Sequence, residues 1–254
     1  MKQVLVTGAN GQLGRALQNA AKDSNLDLTF MHKTTLDISD TEAVKEIFSG
    51  QSFDVCINAA AYTNVDGAEI NKALAFAINT AAVENLAKVC KRHGCWLIHV
   101  STDYVFDGAL DRPYKPTDTP NPLNVYGQSK LAGERAIQEV GGVYSIVRTS
   151  WLYSHYGNNF YCRLKARLSA GKTLRVTAGQ KGCPTRAEDL AAHLLTGITN
   201  QQLPTGISHY CGNKVMTWLD LARQLLPNEE ISKWDGTKPL AVRPEKVVLK
   251  NNNS

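Results

Sequence analysis

The chain has 254 residues, with 28 Lys and Arg against 23 Asp and Glu and a formal net charge of +5. That length buries a substantial core, and the basic excess suits an anionic small molecule but is too small and scattered to argue nucleic-acid binding. No apolar run reaches the roughly 20 residues of a membrane helix, the first strand begins at residue 2 with no signal pattern, and six cysteines without Cys-x-x-Cys spacing point to a reduced, cytoplasmic protein without zinc.

Lys2-Gln3-Val4-Leu5-Val6-Thr7 reads as a short buried strand. Gly8-Ala9-Asn10-Gly11-Gln12-Leu13-Gly14 follows at once, and Leu13, Leu17 and Ala21 mark the apolar face of a helix. A Gly-x-x-Gly-x-x-Gly turn between strand and helix lets the backbone approach a pyrophosphate and aims free helix N–H groups at the anion. The bland alternative, a glycine-rich turn that only starts a helix, is weakened by the strand before it and the helix after it. Leu26–Met31 is the second strand, and it ends in Met31-His32-Lys33 without the carboxylate that grips a ribose 2′-hydroxyl in NAD sites. His32 or Lys33 would instead meet a 2′-phosphate by charge complementarity, so NADPH is the expected cofactor and NADH the alternative. Either Asp37 or Asp40 is suited to start a helix over Thr41–Phe48.

The third strand is expected over Phe53–Asn58, a helix over Asn71–Arg92, the fourth strand over Cys95–Val100, a helix over Val125–Gln138 and the fifth strand over Val143–Arg148. Strands alternating with helices imply an α/β chain, a doubly wound parallel sheet of Rossmann type covered on both faces. Ligands of such sheets bind beyond the C-terminal strand ends, where Gly8–Gly14, Asn58-Ala59-Ala60-Ala61 and Ser101-Thr102-Asp103 fall. Tyr126 and Lys130 are four apart, one turn along a helix face. A cation beside a phenol of pKa roughly 10 is expected to lower it toward proton-transfer range. Alone this pair is weak; its company makes it a catalytic candidate. Pro113, Pro116, Pro120 and Pro122 stiffen the loop just before it. Asp66 and Glu69 are two carboxylates without further ligands, read as helix-start residues and not as a metal site; no metal is expected.

These motifs resemble the extended short-chain dehydrogenase/reductase superfamily. Ser101-Thr102-Asp103-Tyr104-Val105-Phe106-Asp107-Gly108, Arg148-Thr149-Ser150-Trp151-Leu152-Tyr153 and Gly182-Cys183-Pro184-Thr185 narrow the resemblance to the dTDP-4-dehydrorhamnose reductase family, over about residue 1 to Arg243-Pro244. The resemblance implies reduction of the 4-keto group of dTDP-4-dehydro-L-rhamnose, with Tyr126 as general acid, Lys130 stabilising phenolate and holding the nicotinamide ribose, and Thr102 on the ketone oxygen. It implies cofactor contacts from Gly8, Asn10, Gly11, Gln12, Leu13, Gly14, His32, Lys33, Asp37, Ile38, Asn58, Ala59, Ala60, Ala61 and Tyr62, with Asp37-Ile38 at the adenine. It implies substrate contacts from Thr102, Asp103, Tyr104, Val105, Phe106, Trp151 and Arg243, the indole of Trp151 covering a sugar face.

The expected division is a dinucleotide-binding domain over 1–150, completed by about 180–205, and a substrate lobe over 151–179 and 206–254. The family's Arg-Pro-x-x-Ser ends here in Val247, a final helix is not expected, and the Lys250–Ser254 stretch is expected to fray. Ala16 stands where relatives carry a Glu used in metal-bridged dimers, so a monomer or weak homodimer is expected. Two other readings stay open: an epimerase or dehydratase of the same class, although Tyr104 replaces the dehydratase carboxylic acid, and a non-catalytic NADP-binding subunit resembling the beta subunit of methionine adenosyltransferase.

Overall fold

The computed structural model describes residues 1–22, 24–234, 236 and 239–252. The first half runs β1 (Lys2–Thr7), α1 (Gln12–Ala21), β2 (Leu26–Met31), α2 (Thr41–Gly50), β3 (Val55–Asn58), α3 (Val65–Ile70), α4 (Lys72–Phe76), a π turn (Ala77–Ala81), α5 (Ala82–Arg92) and β4 (Trp96–Thr102). A 3-10 turn (Asp103–Val105) leads toward α6 (Val125–Val140) and β5 (Tyr144–Thr149). The rest comprises β6 (Leu152–Tyr153), α7 (Phe160–Ser169), β7 (Leu174–Val176), β8 (Lys181–Gly182), β9 (Thr185–Arg186), α8 (Ala187–Thr199), β10 (Gly206–His209), β11 (Met216–Thr217), α9 (Trp218–Leu225) and β12 (Ile231–Lys233).

Among the described residues the main sheet has six parallel strands in the order β10-β5-β4-β3-β1-β2. Strand order reverses between β1 and β3, and that switch point opens the crevice in which doubly wound sheets bind ligands. The sheet is apolar on both faces. Val4, Val6, Val55 and Ile57 meet α1 and α8 on one side, while Leu5, Cys56, Leu97 and Ile146 meet α2, α5 and α6 on the other. Ala16 is 1% exposed in the first of these layers, so the residue faces core and not solvent.

Three expectations change. The long helix over Asn71–Arg92 is broken at Asn71 and widened into the π turn. The wide turn carries Asn79 inward, where its carboxamide accepts from Tyr62 N–H and donates to Tyr62 O and Ser129 Oγ. Gly133 of α6 permits the approach, because a Cβ there would lie 2.1 Å from Asn79 O. Second, β10 pairs with β5 from Gly206↔Ser145 to His209↔Arg148, so the main sheet extends to His209 and a separate lobe does not begin at 206.

Third, the C-terminal stretch does not fray through Asn252. Its main chain bridges Tyr114 at Leu249 and Lys181 at Lys246, and Val247 and Leu249 are buried with Phe106 and Tyr114. Asn251 Oδ1 accepts from Cys211 N–H at 2.8 Å and Asn252 Oδ1 from His209 N–H at 3.0 Å, so side-chain amides supply backbone partners at the end of the edge strand. Asn253 and Ser254 lie outside the described residues. No helix among the described residues is long and apolar enough to cross a membrane.

Candidate active site

The glycine turn fits a pyrophosphate. Gly8 has φ +69, and a Cβ on it would stand 2.6 Å from Ala60 N; a Cβ on Gly14 would stand 2.5 Å from Gly8 O. The loops after β1 and β3 therefore touch through bare backbone. Gly11 caps α1 with no side-chain hydrogen bond and the first turn holds no carboxylate, which leaves N–H groups for an anion. Gln12 is held over the mouth by Leu152 O at 3.2 Å. Asn10, Leu13, Ala59, Ala61 and Tyr62 belong to the same two loops and the start of α1.

At the end of β2, Lys33 is exposed and 3.6 Å from the Asp37 carboxylate, whose pKa is lowered chiefly by the Ser39 hydroxyl and N–H. Asp40 caps α2 by accepting from Glu42 and Ala43 N–H, so Asp37 is free of the helix-start role. Ile38 is buried beside it, and His32 Nδ1 is 2.8 Å from the Thr34 hydroxyl.

Tyr126, Lys130 and Thr102 converge at the C-terminal end of β4. Asn124 caps α6 through Gly127 N–H at 2.8 Å, and Glu69 accepts from Val125 N–H at 2.9 Å, so the helix that carries Tyr126 and Lys130 is fixed at its first turn by two side chains. Thr102 lies beside the Tyr126 phenol and donates to Asp103 Oδ1 at 3.1 Å. Asp103 is buried and accepts from the Ser150 hydroxyl at 2.7 Å; burial pushes its carboxyl up to about 6. Tyr104 stands edge-on to Tyr126, ring centroids 5.7 Å apart, and burial pushes its phenol up to about 12.

The Tyr126 phenol moves up, not down as expected from the neighbouring lysine. Burial is the main cause, and the Asp103 charge adds to it. The Lys130 ammonium does not offset this because it turns into the sheet, donating to Val100 O at 2.8 Å with His99 Nε2 at 3.1 Å. Burial brings that lysine down to about 8. Beneath it, Glu134 and Arg148 form a fully buried pair at 2.6 Å, with the Ser101 hydroxyl also on Glu134.

His99, Asn79, Glu134, Arg148 and Ser150 surround the site without having been singled out from the sequence. The available signal is a polar residue inside an apolar strand run, as His99 stands in Trp96-Leu97-Ile98-His99-Val100.

A sequence model of the RmlD substrate binding domain matches residues 1–252. The dTDP-4-dehydrorhamnose reductase of Escherichia coli K12 is 41% identical over 225 residues, 86% of this chain and 75% of that protein. That of Mycobacterium tuberculosis H37Rv is 39% identical over 248 residues, 96% of this chain and 79% of the relative. The chain belongs to the RmlD substrate binding domain family. The structure of a dTDP-4-dehydrorhamnose reductase from Bacillus anthracis, in complex with NADP, matches with a TM-score of 0.92 at 32% identity, over 99% of this chain and 91% of that one. The NAD complex of a Thermus thermophilus UDP-glucose 4-epimerase, at 18% identity, TM-score 0.86 and coverage of 99% and 91%, shares the fold.

Several family-derived expectations meet a different arrangement. Val105 and Phe106 are wholly buried, Phe106 stacked on Tyr114 at 4.2 Å, and have no face left for a substrate; the 3-10 turn directs them into the core. Trp151, at φ +46, stacks one face on Trp218, parallel at 3.7 Å, and packs against Gly182, whose Cβ would lie 2.5 Å from the indole. The face on Trp218 is closed to a sugar. Arg243 forms a two-pronged bond to Asp66 at 2.9 and 3.1 Å instead of standing free for a diphosphate. Asp66 and Glu69 thus do more than start α3, whose cap is Asn64: one holds Arg243, the other the start of α6. Among the described residues no three His, Cys, Asp or Glu side chains converge to hold a metal.

Proposed function

We infer that the chain is an NADPH-dependent oxidoreductase that reduces the 4-keto group of dTDP-4-dehydro-L-rhamnose to dTDP-L-rhamnose. What carries the reading is a protonated phenol, Tyr126, next to the Thr102 hydroxyl beside a glycine crevice fitted to a dinucleotide, in a chain 41% identical to a reductase of that name. The bound nicotinamide supplies the hydride. The glycine turn and the N-terminus of α1 would hold its pyrophosphate, Asp37 and Ile38 the adenine, and Lys33 with His32 the 2′-phosphate.

The ketone oxygen gains negative charge as the carbon is reduced and requires a proton. Tyr126 donates it, and burial favours the protonated acid at the start of the step. Thr102 turns its hydroxyl from Asp103 to the same oxygen, adding a donor where charge develops. Lys130, one turn along α6 from Tyr126, would hold the ribose hydroxyls and, when protonated and turned from the sheet, compensate the phenolate left behind. Substrate sits between the 3-10 turn and the lobe, against Tyr104, the edge of Trp151 and the Arg243–Asp66 pair. Every group named comes from one chain, which is compatible with a monomer or weak homodimer.

The test follows NADPH absorbance with dTDP-4-dehydro-L-rhamnose as substrate. Tyr126→Phe keeps the ring and removes the proton, so turnover should fall about 10²-fold or more while NADPH fluorescence titration is unchanged. Wild-type turnover in Tyr126→Phe would overturn the acid assignment; no turnover in the parent with NADPH bound would overturn the substrate.

A further inference from the structure

Three side chains lie in register across three neighbouring strands. Thr7 of β1 is opposite Asn58 of β3, and Asn58 is opposite His99 of β4; Ile146 of β5 closes the row on the far side. Side chains in register on adjacent parallel strands share one face, and this face is the one α6 covers with Lys130. Thr7, Asn58, His99 and Lys130 are all 2% exposed or less, so hydrogen bonds must compensate for lost water.

Counting protons along the row assigns each nitrogen. The Thr7 hydroxyl donates to Asn58 Oδ1 at 2.7 Å and Ala60 N–H donates to the same oxygen at 3.2 Å. A backbone N–H cannot accept, so the amide oxygen faces Thr7 and Ala60, and Nδ2 faces the ring. Asn58 Nδ2 then donates to His99 Nδ1 at 3.0 Å. A neutral imidazole that accepts at Nδ1 carries its proton at Nε2. That N–H points at Lys130 Nζ, 3.1 Å away, while Nζ donates to Val100 O. An ammonium would set N–H against N–H; an amine offers a lone pair.

We propose that His99 is the positioning residue of Lys130, and that the Thr7–Asn58–His99 row presents a ring N–H that holds the lysine nitrogen in place and favours its neutral amine. Burial acts in the same direction on Lys130. The charged groups around it are few: Glu134, one turn further along α6, favours the ammonium, and its carboxylate is already engaged by Arg148 of β5 and Ser101 of β4. From β1 and β3 come only the neutral Thr7 and Asn58. The ring itself stays neutral, because burial and Lys130 both oppose a second proton. Lys130 is thereby a lysine that exchanges its proton near working pH, and the partner that sets this lies on the sheet, away from the substrate.

The consequence for turnover rests on the reading of Lys130 given above, whereas the tautomer does not, and the two are tested apart. Nitrogen-15 NMR of the His99 imidazole in the cofactor-free enzyme should show a bare Nδ1 and a protonated Nε2 at about pH 9, where Lys130 is the amine. The ring signals should move with a midpoint near pH 8, and Lys130→Met should abolish that movement. A protonated Nδ1, a cationic ring at pH 7, or signals indifferent to Lys130→Met would overturn the proposal. In turnover, His99→Leu removes the ring N–H from the lysine nitrogen, so the high-pH limb of kcat/KM should rise by about one pH unit. A purely structural role would lower kcat and leave the limb in place, and that result also overturns it. If Lys130→Met keeps full turnover while the tautomer is as stated, the functional reading of Lys130 falls and the positioning of its nitrogen stands.

Discussion

Arg148→Met tests whether the buried ion pair beneath the site holds α6 to the sheet. Arg148 and Glu134 side chains are each 1% exposed, joined by contacts of 2.6, 3.0 and 3.2 Å. Among the described residues the Ser101 hydroxyl is the one other donor to Glu134, so methionine leaves a buried carboxylate with a single hydroxyl. Removing one partner of such a pair costs about 3–5 kcal/mol, a large part of the roughly 5–15 kcal/mol that holds a domain together. With a urea slope of about 3 kcal/mol per molar, the unfolding midpoint should drop by about 1–1.7 M. Glu134→Leu combined with Arg148→Met removes both charges and should recover at least about half of the loss. An unchanged midpoint in Arg148→Met, or a double variant no better than the single, would refute the reasoning.

Gly14→Ala should cut NADPH affinity at least about 10-fold in a fluorescence titration, because its Cβ would meet Gly8 O at 2.5 Å and Ala9 Cα at 2.6 Å, both backbone; parental affinity would show that the loop yields. Lys33→Ala should lower the NADPH over NADH preference in kcat/KM, since Lys33 is the exposed cation at the end of β2; an unchanged ratio would remove it from the 2′-phosphate. The Asp103 carboxyl is raised by burial from 3.8 to about 6, so its contribution to stability is present below pH 3.8 and is lost as pH rises through about 6, roughly 3 kcal/mol in all. Asp103→Asn should flatten that decline, giving a variant more stable than the parent at pH 7 by urea titration; a parallel pH profile would deny the burial effect.

What could be read from the chain divides by whether backbone or register decides it. β2 falls on Leu26–Met31 as expected, and the glycine turn sits where its spacing put it, because φ +69 at Gly8 and the closeness of Ala60 are demands that only glycine meets. The one-turn spacing of Tyr126 and Lys130 fixed their shared face but not the direction of the lysine. That direction depends on His99 and Val100, and hence on which strand lies under α6. Asn79 was hidden for a related reason: the apolar periodicity from Asn71 to Arg92 runs on through the π turn, and only the carboxamide's partners on Tyr62 and Ser129 require the extra width. Val105 and Phe106 read as a pocket wall because they follow Thr102 directly, yet the 3-10 turn after Thr102 sends them inward. The polar row is the sharpest case. Thr7, Asn58 and His99 lie 41 to 51 residues apart and mean nothing singly, a hydroxyl, an amide and an imidazole each in an apolar strand. Once the order β4-β3-β1 and its register are fixed, the three fall side by side and their donors and acceptors leave one consistent assignment. The chemistry of Lys130 is therefore specified at strand positions that a motif centred on Tyr126 does not contain.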